Sequence, residues 1–389
     1  MKTLSFPDFF RPFPSSLLQE LDEIRKLLED EYSASLFVVG GAVRDRLLGR
    51  AVTDLDLETY GLDPEKFDEA MGKLGAKGVG KSFFVYKYGE IDIALPRRER
   101  KTGIGHRAFF VEPEEDPAEA SRRRDFTVNA LMYDLSEERI LDYWGGLEDL
   151  ELRRLRCVDS RSFVEDSLRV LRAMRFAAQL DFRVEEETCR LCREIPLDDL
   201  PGARIFGEFE RMFRSQHWGR GFYELLDLEI ALRLWKEEGR RELFFSTVRE
   251  MIRCRSLAVP ELRDYTFLAI YGQHSKVPMT KILDAIDAPN RYRKQLERLP
   301  KIPEKCAPSF VGSLARKEGV KASVLGAYPE IRGLARKIGV WEKPLESGVT
   351  PTELMARGFQ GEALGEELER HFRRKCRELD RSASEGEKK

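Results

Sequence analysis

The hydrophobic period of this 389-residue chain changes once, near residue 150, and that change most narrows what it can fold into. Ahead of it lie a short apolar run ended by glycines, "SLFVVGG" (35 to 41), and two alternating runs, "TDLDLETYG" (53 to 61) and "SFFVYKYGEIDIAL" (82 to 95). These predict strands, with Tyr-Gly-Glu at 88 to 90 as a hairpin turn, and "RILDYW" (139 to 144) predicts a last one. Leu17, Leu21, Ile24 and Leu28 recur at helical spacing after Ser15 and Ser16, which predicts a capped opening helix, and "AVRDRLLG" (42 to 49) predicts a short second one. Beyond 150 the strand signals nearly stop. There "SFVEDSLRVLRAMRFAAQL", "RIFGEFERMF", "GFYELLDLEIALRLWKE", "MTKILDAIDA" and "GEELERHFRRKCRELDR" read as successive helices, and the final "SASEGEKK" as a disordered tail. The expected class is α+β, a small mixed-sheet head followed by a long all-α region. At one compact unit per roughly 100 to 200 residues, the chain should hold two to four.

Charged residues make up 35% of the chain yet leave a net charge of -2, so any nucleic-acid surface must come from local clusters. "NRYRKQLERLPK" (290 to 301) and "RHFRRKCRELDR" (370 to 381) are candidates, although each also carries acidic residues and reads equally as a solvated helix face. Of six cysteines only Cys189 and Cys192 form a CxxC, inside the helical "EEETCRLCREI", which predicts reduced thiols rather than a zinc site. The start lacks the basic and apolar regions of a signal peptide, and no run of about 18 apolar residues occurs, so the expected location is cytoplasmic, away from membranes. No helix shows an unpaired apolar seam, so a monomer and a homodimer both fit.

The chemistry concentrates in "VVGGAVRDRLLGRAVTDLDLETYG" (38 to 61). Side chains alternate along a strand, so Asp54 and Asp56 project to one side while Leu55 and Leu57 face the core. Two neighbouring carboxylates repel unless one is protonated or a cation lies between them. Oxygen ligands at this spacing suit Mg²⁺, which takes one or two carboxylates plus substrate phosphates. An Asp-x-Asp by itself also describes a solvated strand edge; the preceding turn adds the second half of a site. Gly40 and Gly41 fall where a strand ends and a helix begins, so backbone N–H groups can approach a phosphate with no Cβ in the way. Arg44, one turn into that helix, can add a charge-assisted bond. Asp92, between Ile91 and Ile93, completes a carboxylate triad if its strand pairs beside the first, and Glu90 shares its face as a competitor. Two metal ions on such a triad would activate an attacking hydroxyl and stabilise a leaving pyrophosphate, with no nucleophile needed from the protein.

Four segments, "VVGGAVRDRLLGRAVTDLDL", "RRRDFTVNALMYDL" (122 to 135), "ILDYWGGLEDL" (140 to 150) and "EDSLRVLRAMRFAAQL" (165 to 180), resemble in order and spacing the motifs of class II tRNA nucleotidyltransferases. That group includes CCA-adding enzymes and bacterial poly(A) polymerases, within the polymerase-β-like superfamily. The likeness covers roughly residues 36 to 215. It implies a nucleotidyltransferase head at 1–155, a base-recognising helical neck at 156–220, a helical body at 221–310 and a tRNA-binding helical tail at 311–389, elongated overall. It further implies that Asp54 and Asp56 bind Mg²⁺ and, with Asp92, carry catalysis. Gly40, Gly41 and Arg44 would hold the incoming nucleotide. Arg124 would contact its triphosphate or ribose, and Asn129 belongs to the same motif. A flexible loop matching "PRRERKTGIGHRAFF" (96 to 110) supports the switch from C to A in CCA-adding relatives, and is typically shortened in CC-adding ones; here the loop is present.

In the fourth motif Asp166 and Arg169 stand three residues apart, adjacent on a helix surface. An Asp accepts from an exocyclic amine and an Arg donates to a ring nitrogen. Cytosine and adenine share that amine-and-acceptor pattern while uracil and guanine reverse it, so one Asp/Arg pair can select C and A. In a helix of unknown placement the same pair is an ordinary surface salt bridge. The family also assigns nucleotide contacts to Arg172 and Arg175, but each step of three residues falls about 60° short of a full circle. All four cannot meet the base alike, and Arg172 and Arg175 are expected to reach phosphate or neighbouring helices. The function implied is template-independent CCA addition to tRNA 3' ends from CTP and ATP with Mg²⁺. Alternatives are an A-adding or CC-adding specialist, a poly(A) polymerase, or a catalytically silent RNA- or nucleotide-binding module.

Overall fold

The computed structural model describes residues 1–80, 84–101 and 109–386. It divides into two compact units, one of Met1–Pro201 with Asp227–Glu229, the other of Gly202–Leu226 with Ile230–Lys389.

Twelve strands among the described residues belong to the first unit: β1 (Lys2–Ser5), β2 (Ser35–Val39), β3 (Leu55–Tyr60), β4 (Lys77–Gly80), β5 (Val85–Tyr88), β6 (Ile91–Ala94), β7 (Arg97–Lys101), β8 (Phe109–Pro113), β9 (Met132–Asp134), β10 (Arg139–Asp142), and the short β11 (Arg154–Leu155) and β12 (Arg183–Val184), which pair with each other. Eight form one sheet in the order β1-β10-β9-β2-β3-β6-β5-β4, while β7 and β8 pair separately as an antiparallel ribbon. Only β3 and β6 run parallel; every other neighbouring pair in the sheet is antiparallel. The central β2 is buried on both faces from Leu36 to Val39, which is why it reads as a continuous apolar run rather than an alternation. Phe37, Val39, Tyr60, Met132 and Leu141 pack with Ala120 on one face of the sheet.

Seven helices complete the part of this unit that frames the site: α1 (Ser15–Arg25), α2 (Gly41–Leu47), α3 (Pro64–Leu74), α4 (Pro117–Arg122), α5 (Gly146–Glu151), α6 (Ser160–Phe163) and α7 (Leu168–Leu180). The four leucine and isoleucine positions of the opening helix are buried, but Pro14 takes its cap with no side-chain bond; Ser15 and Ser16 lie inside its first turn. Asp142 explains how α5 starts: its Oδ1 accepts from the N–H groups of Trp144, Gly145 and Gly146, and Oδ2 from that of Leu147. The helix expected over 162 to 180 is interrupted. A turn separates α6 from α7, and Asp166 lies in it, accepting from the Leu168 N–H at 3.1 Å. A short acidic side chain that bonds a nearby backbone N–H competes with helix continuation, which accounts for the break.

Among the described residues, all regular structure after Val184 is helical. In the second unit Phe213 stacks on Phe267, and Trp235 packs against Tyr271 while donating from Nε1 to the Ile282 carbonyl. The helix Gly361–Gly386 continues through most of the segment expected to be disordered. Its approach to the helix Pro308–Leu314 depends on Gly312, where a Cβ would stand 2.6 Å from Leu379. All six cysteines are free, with Cys189 and Cys192 buried on the helix Glu186–Glu194. No helix among the described residues is long and apolar enough to cross a membrane.

Candidate active site

The sheet's register gathers the acidic residues. In the β2–β3 ladder Val39, the last residue before the glycine turn, pairs with Asp56; in the β3–β6 ladder Asp56 pairs with Asp92. Paired residues share a face, so Asp56 and Asp92 stand side by side next to the turn. Asp54 lies one residue ahead of β3, exposed, with its Oδ1 accepting from the Thr53 hydroxyl. Glu90 sits in the turn before β6, its N–H donating to Glu20, so of the two competing acids it is Asp92 that neighbours Asp56. Gly40 has φ 74°, a left-handed conformation that favours glycine. A Cβ there would come within 3.1 Å of Arg124 Nη1 and 3.7 Å of Asp56 Oδ2, so turn, guanidinium and carboxylate meet at one point. At Gly41 a Cβ would lie 3.5 Å from Arg44.

The Asp56 carboxyl is held above the usual carboxylate range. Desolvation by surrounding protein contributes most, the charges of Asp92, Asp54 and Glu58 add to it, and Arg124 opposes it. Lys87, paired with Asp92 across β5 and β6, brings its Nζ to 3.4 Å from Asp92. Asp56 and Asp92 offer neighbouring carboxylates, but Asp54, Asp56 and Asp92 do not bring one oxygen each within 4.8 Å of one another, so the expected triad is not closed in this structure.

Glu58, next along the same face of β3, is buried. Its Oε1 accepts from Arg124 Nη2 at 2.7 Å, with Arg123 Nη2 at 3.7 Å, and its Oε2 accepts from the Tyr60 hydroxyl at 2.9 Å. Burial alone would raise its pKa; Arg124, Arg123 and the Tyr60 bond outweigh burial and lower it.

The Arg-Arg-Asp segment connects this corner to α7. Asp125 is buried; its Oδ1 accepts from the Asn129 side chain and the Phe126 N–H, and its Oδ2 from Arg172 Nε at 2.6 Å. Asn129 in turn accepts from Arg44 Nη1 at 2.5 Å, and Arg44 also donates twice to Asp45. Arg44 is thus buried and held by its neighbours, part of a relay from Asp45 through Asn129 to Asp125. Three guanidiniums surround the Phe176 ring, those of Arg44, Arg172 and Arg175, at 5.1, 5.2 and 3.8 Å from its centroid. Arg175, buried, also donates to Gln179.

Asp166 and Arg169 do not share a helix surface as the sequence suggests, because Asp166 precedes α7. Arg169 donates from Nη1 to the Ser162 carbonyl and from Nη2 to that of Arg123, and lies over Phe163. Its guanidinium is therefore fixed by backbone, while Asp166 influences it electrostatically. The expected loop at 96 to 110 begins and ends in β7 and β8; its centre, 102–108 with His106, lies outside the described residues. The two basic stretches fall on helices laced with ion pairs, such as Arg293–Asp284 and Arg373–Glu369.

Residues 36–156 match the family described as Poly A polymerase head domain. Residues 181–237, after the polymerase head, match the family described as Probable RNA and SrmB-binding site of polymerase A. The Multifunctional CCA protein of Xylella fastidiosa (strain 9a5c) is 43% identical over 187 residues, 45% of this chain and 44% of that protein. The chain therefore spans about half the length of such curated relatives or less. Among solved structures, a CCA-adding enzyme in apo form superposes with TM-score 0.71 at 22% identity, covering 97% and 96% of the two chains. The Thermotoga maritima CCA-adding enzyme complexed with tRNA gives 0.69 at 23%, covering 98% and 96%. Likeness at these identities extends the shared fold over almost the whole chain: a mixed-sheet head followed by an all-α region. Sequence reasoning missed three side chains around this site, Glu58, Asp125 and Phe176. The alternation that singled out Asp54 and Asp56 continues to Glu58 and could have found it; Phe176 has no signal short of the fold.

Proposed function

We propose that the chain adds C and A nucleotides to the 3' end of tRNA from CTP and ATP, without a nucleic-acid template, as a cytoplasmic monomer or homodimer. The observation that carries this reading is the meeting of Gly40, Arg124, Asp56 and Asp92 at one corner, in the same compact unit as Asp166 and Arg169. Relatives and fold neighbours named for CCA addition support it.

Asp54 and Asp56 would hold Mg²⁺ with Asp92 beside them, and the metal would supply activation of the attacking RNA 3'-hydroxyl and charge stabilisation of the leaving pyrophosphate. The protein's own part is placement. The glycine turn admits a triphosphate close to the backbone, and Arg124, held by Glu58, presents its Nη1 side there. Asp166 uses Oδ1 on the Leu168 N–H; Oδ2, with no donor on it among the described residues, can accept from the amine shared by cytosine and adenine. Arg169, pinned by two carbonyls, can offer its other N–H groups to the ring nitrogen. Arg44, Asn129, Arg172 and Arg175 act in this reading as positioning residues that tie α7 to the turn. We assign the head to 1–155, the neck to 156–220, the body to 221–310 and the tRNA-binding tail to 311–389.

The test supplies tRNA transcripts ending before CCA, after C and after CC with CTP or ATP and Mg²⁺, and sequences the products. Full addition requires C on the first two and A on the third. A added only to the CC end identifies an A-adding specialist, C without A a CC-adding one, and untemplated A runs a poly(A) polymerase. No extension of any end rejects the enzymatic reading in favour of a binding module.

A further inference from the structure

We propose that Glu58 is a positioning residue that holds the Arg124 guanidinium off Asp56, leaving Asp56 for the metal and Arg124 for the nucleotide. This rests on the nucleotidyl-transfer reading of the site and adds a residue to it. Arg124 feels three carboxylates, Glu58, Asp56 and Asp125, yet the direct bond it makes is to Glu58. That bond uses Nη2, while Nη1 of the same planar group lies at the glycine turn beside Asp56. A guanidinium anchored at one nitrogen has its whole fork oriented. Glu58 is itself anchored: it is buried, the Tyr60 hydroxyl donates to its other oxygen, and Arg123 approaches the same Oε1. The spacing on β3 is what makes the device work. Asp56 and Glu58 share a strand face, so one guanidinium can reach either, and the carboxylate that wins decides whether Asp56 is paired with arginine or available as an oxygen ligand. With the Glu58 charge removed, Asp56, on the same strand face and beside Nη1 at the glycine turn, is the neighbouring carboxylate Arg124 can turn to.

The inference is tested on the full chain by calorimetric titration of Mn²⁺ without nucleotide, thermal unfolding, and kcat and KM for CTP on a tRNA end lacking CCA. Glu58→Gln keeps the shape but removes the charge and leaves one acceptor oxygen where Glu58 uses two. It should weaken Mn²⁺ binding roughly tenfold, the scale of one exchanged charge-assisted contact, and raise KM for CTP more than it lowers kcat. Adding Arg124→Gln to that variant should restore Mn²⁺ affinity while KM stays high. Arg124→Gln alone should bind Mn²⁺ at least as tightly as the unaltered chain, a measurement that decides the matter even if Glu58→Gln does not fold. Unchanged Mn²⁺ affinity in Glu58→Gln, failure of the double variant to recover it, or loss of Mn²⁺ binding in Arg124→Gln alone would each overturn the proposal. If the unaltered chain and variants bind Mn²⁺ as expected but no tRNA end is extended, the positioning role stands and the proposed reaction falls.

Discussion

Asp125 shows how a single residue is both buried and charged. Burial pushes its carboxyl up, but Arg172, the Asn129 bond and Arg169 prevail and hold it at about 2. Its ordinary value is ~3.9. A depressed native pKa means that the stabilisation is complete above the unfolded value and is lost as pH falls from there through the folded one. The difference amounts to about 2 kcal/mol. In urea unfolding, the stability gap between the unaltered chain and Asp125→Asn should be constant above pH 5 and narrow by about 2 kcal/mol towards pH 2. A gap that widens on acidification would contradict the pairing seen here.

At the scale of elements, α7 is held to the head by side chains rather than by apolar packing alone. Phe176 lies at the junction, with Phe126 edge-on to it and the guanidiniums of Arg44, Arg172 and Arg175 around it. Each desolvated cation–ring contact is worth about 0.5 to 2 kcal/mol, and trimming a buried aromatic adds a cavity cost. Phe176→Leu should therefore lose about 2 to 4 kcal/mol in chemical denaturation, more than Phe163→Leu, whose ring meets one guanidinium among the described residues. Equal losses would remove the ring's special standing. The strands carrying the acids were legible because period two separates Leu55 and Leu57 from Asp56, and the glycines mark where β2 stops. The break at Asp166 was not legible: the apolar spacing runs through it, and only a side-chain bond to a backbone N–H interrupts the helix. The partners of Arg44 were not legible for a related reason: sequence position places it near the glycine turn but cannot show that Asp45 and Asn129 accept from it.

For the molecule as a whole, a net charge of -2 means that affinity for a polyanion must rest on local arginines. On the last helix Arg370, Arg373 and Arg374 are largely exposed, each with a glutamate in reach. Such pairs exchange partners at little cost. If this helix tracks RNA, log affinity for tRNA should fall linearly with log salt, and Arg370→Gln with Arg374→Gln should flatten the slope by about 1 to 2. An unchanged slope would place the RNA elsewhere. The sheet carries a different consequence. β1 completes its edge by pairing Lys2 with Asp142 and Ser5 with Arg139. During synthesis on the ribosome β1 therefore waits for β10, and a chain arrested before β10 has left the exit tunnel would hold the glycine turn and all three aspartates on a sheet whose edge is not yet complete.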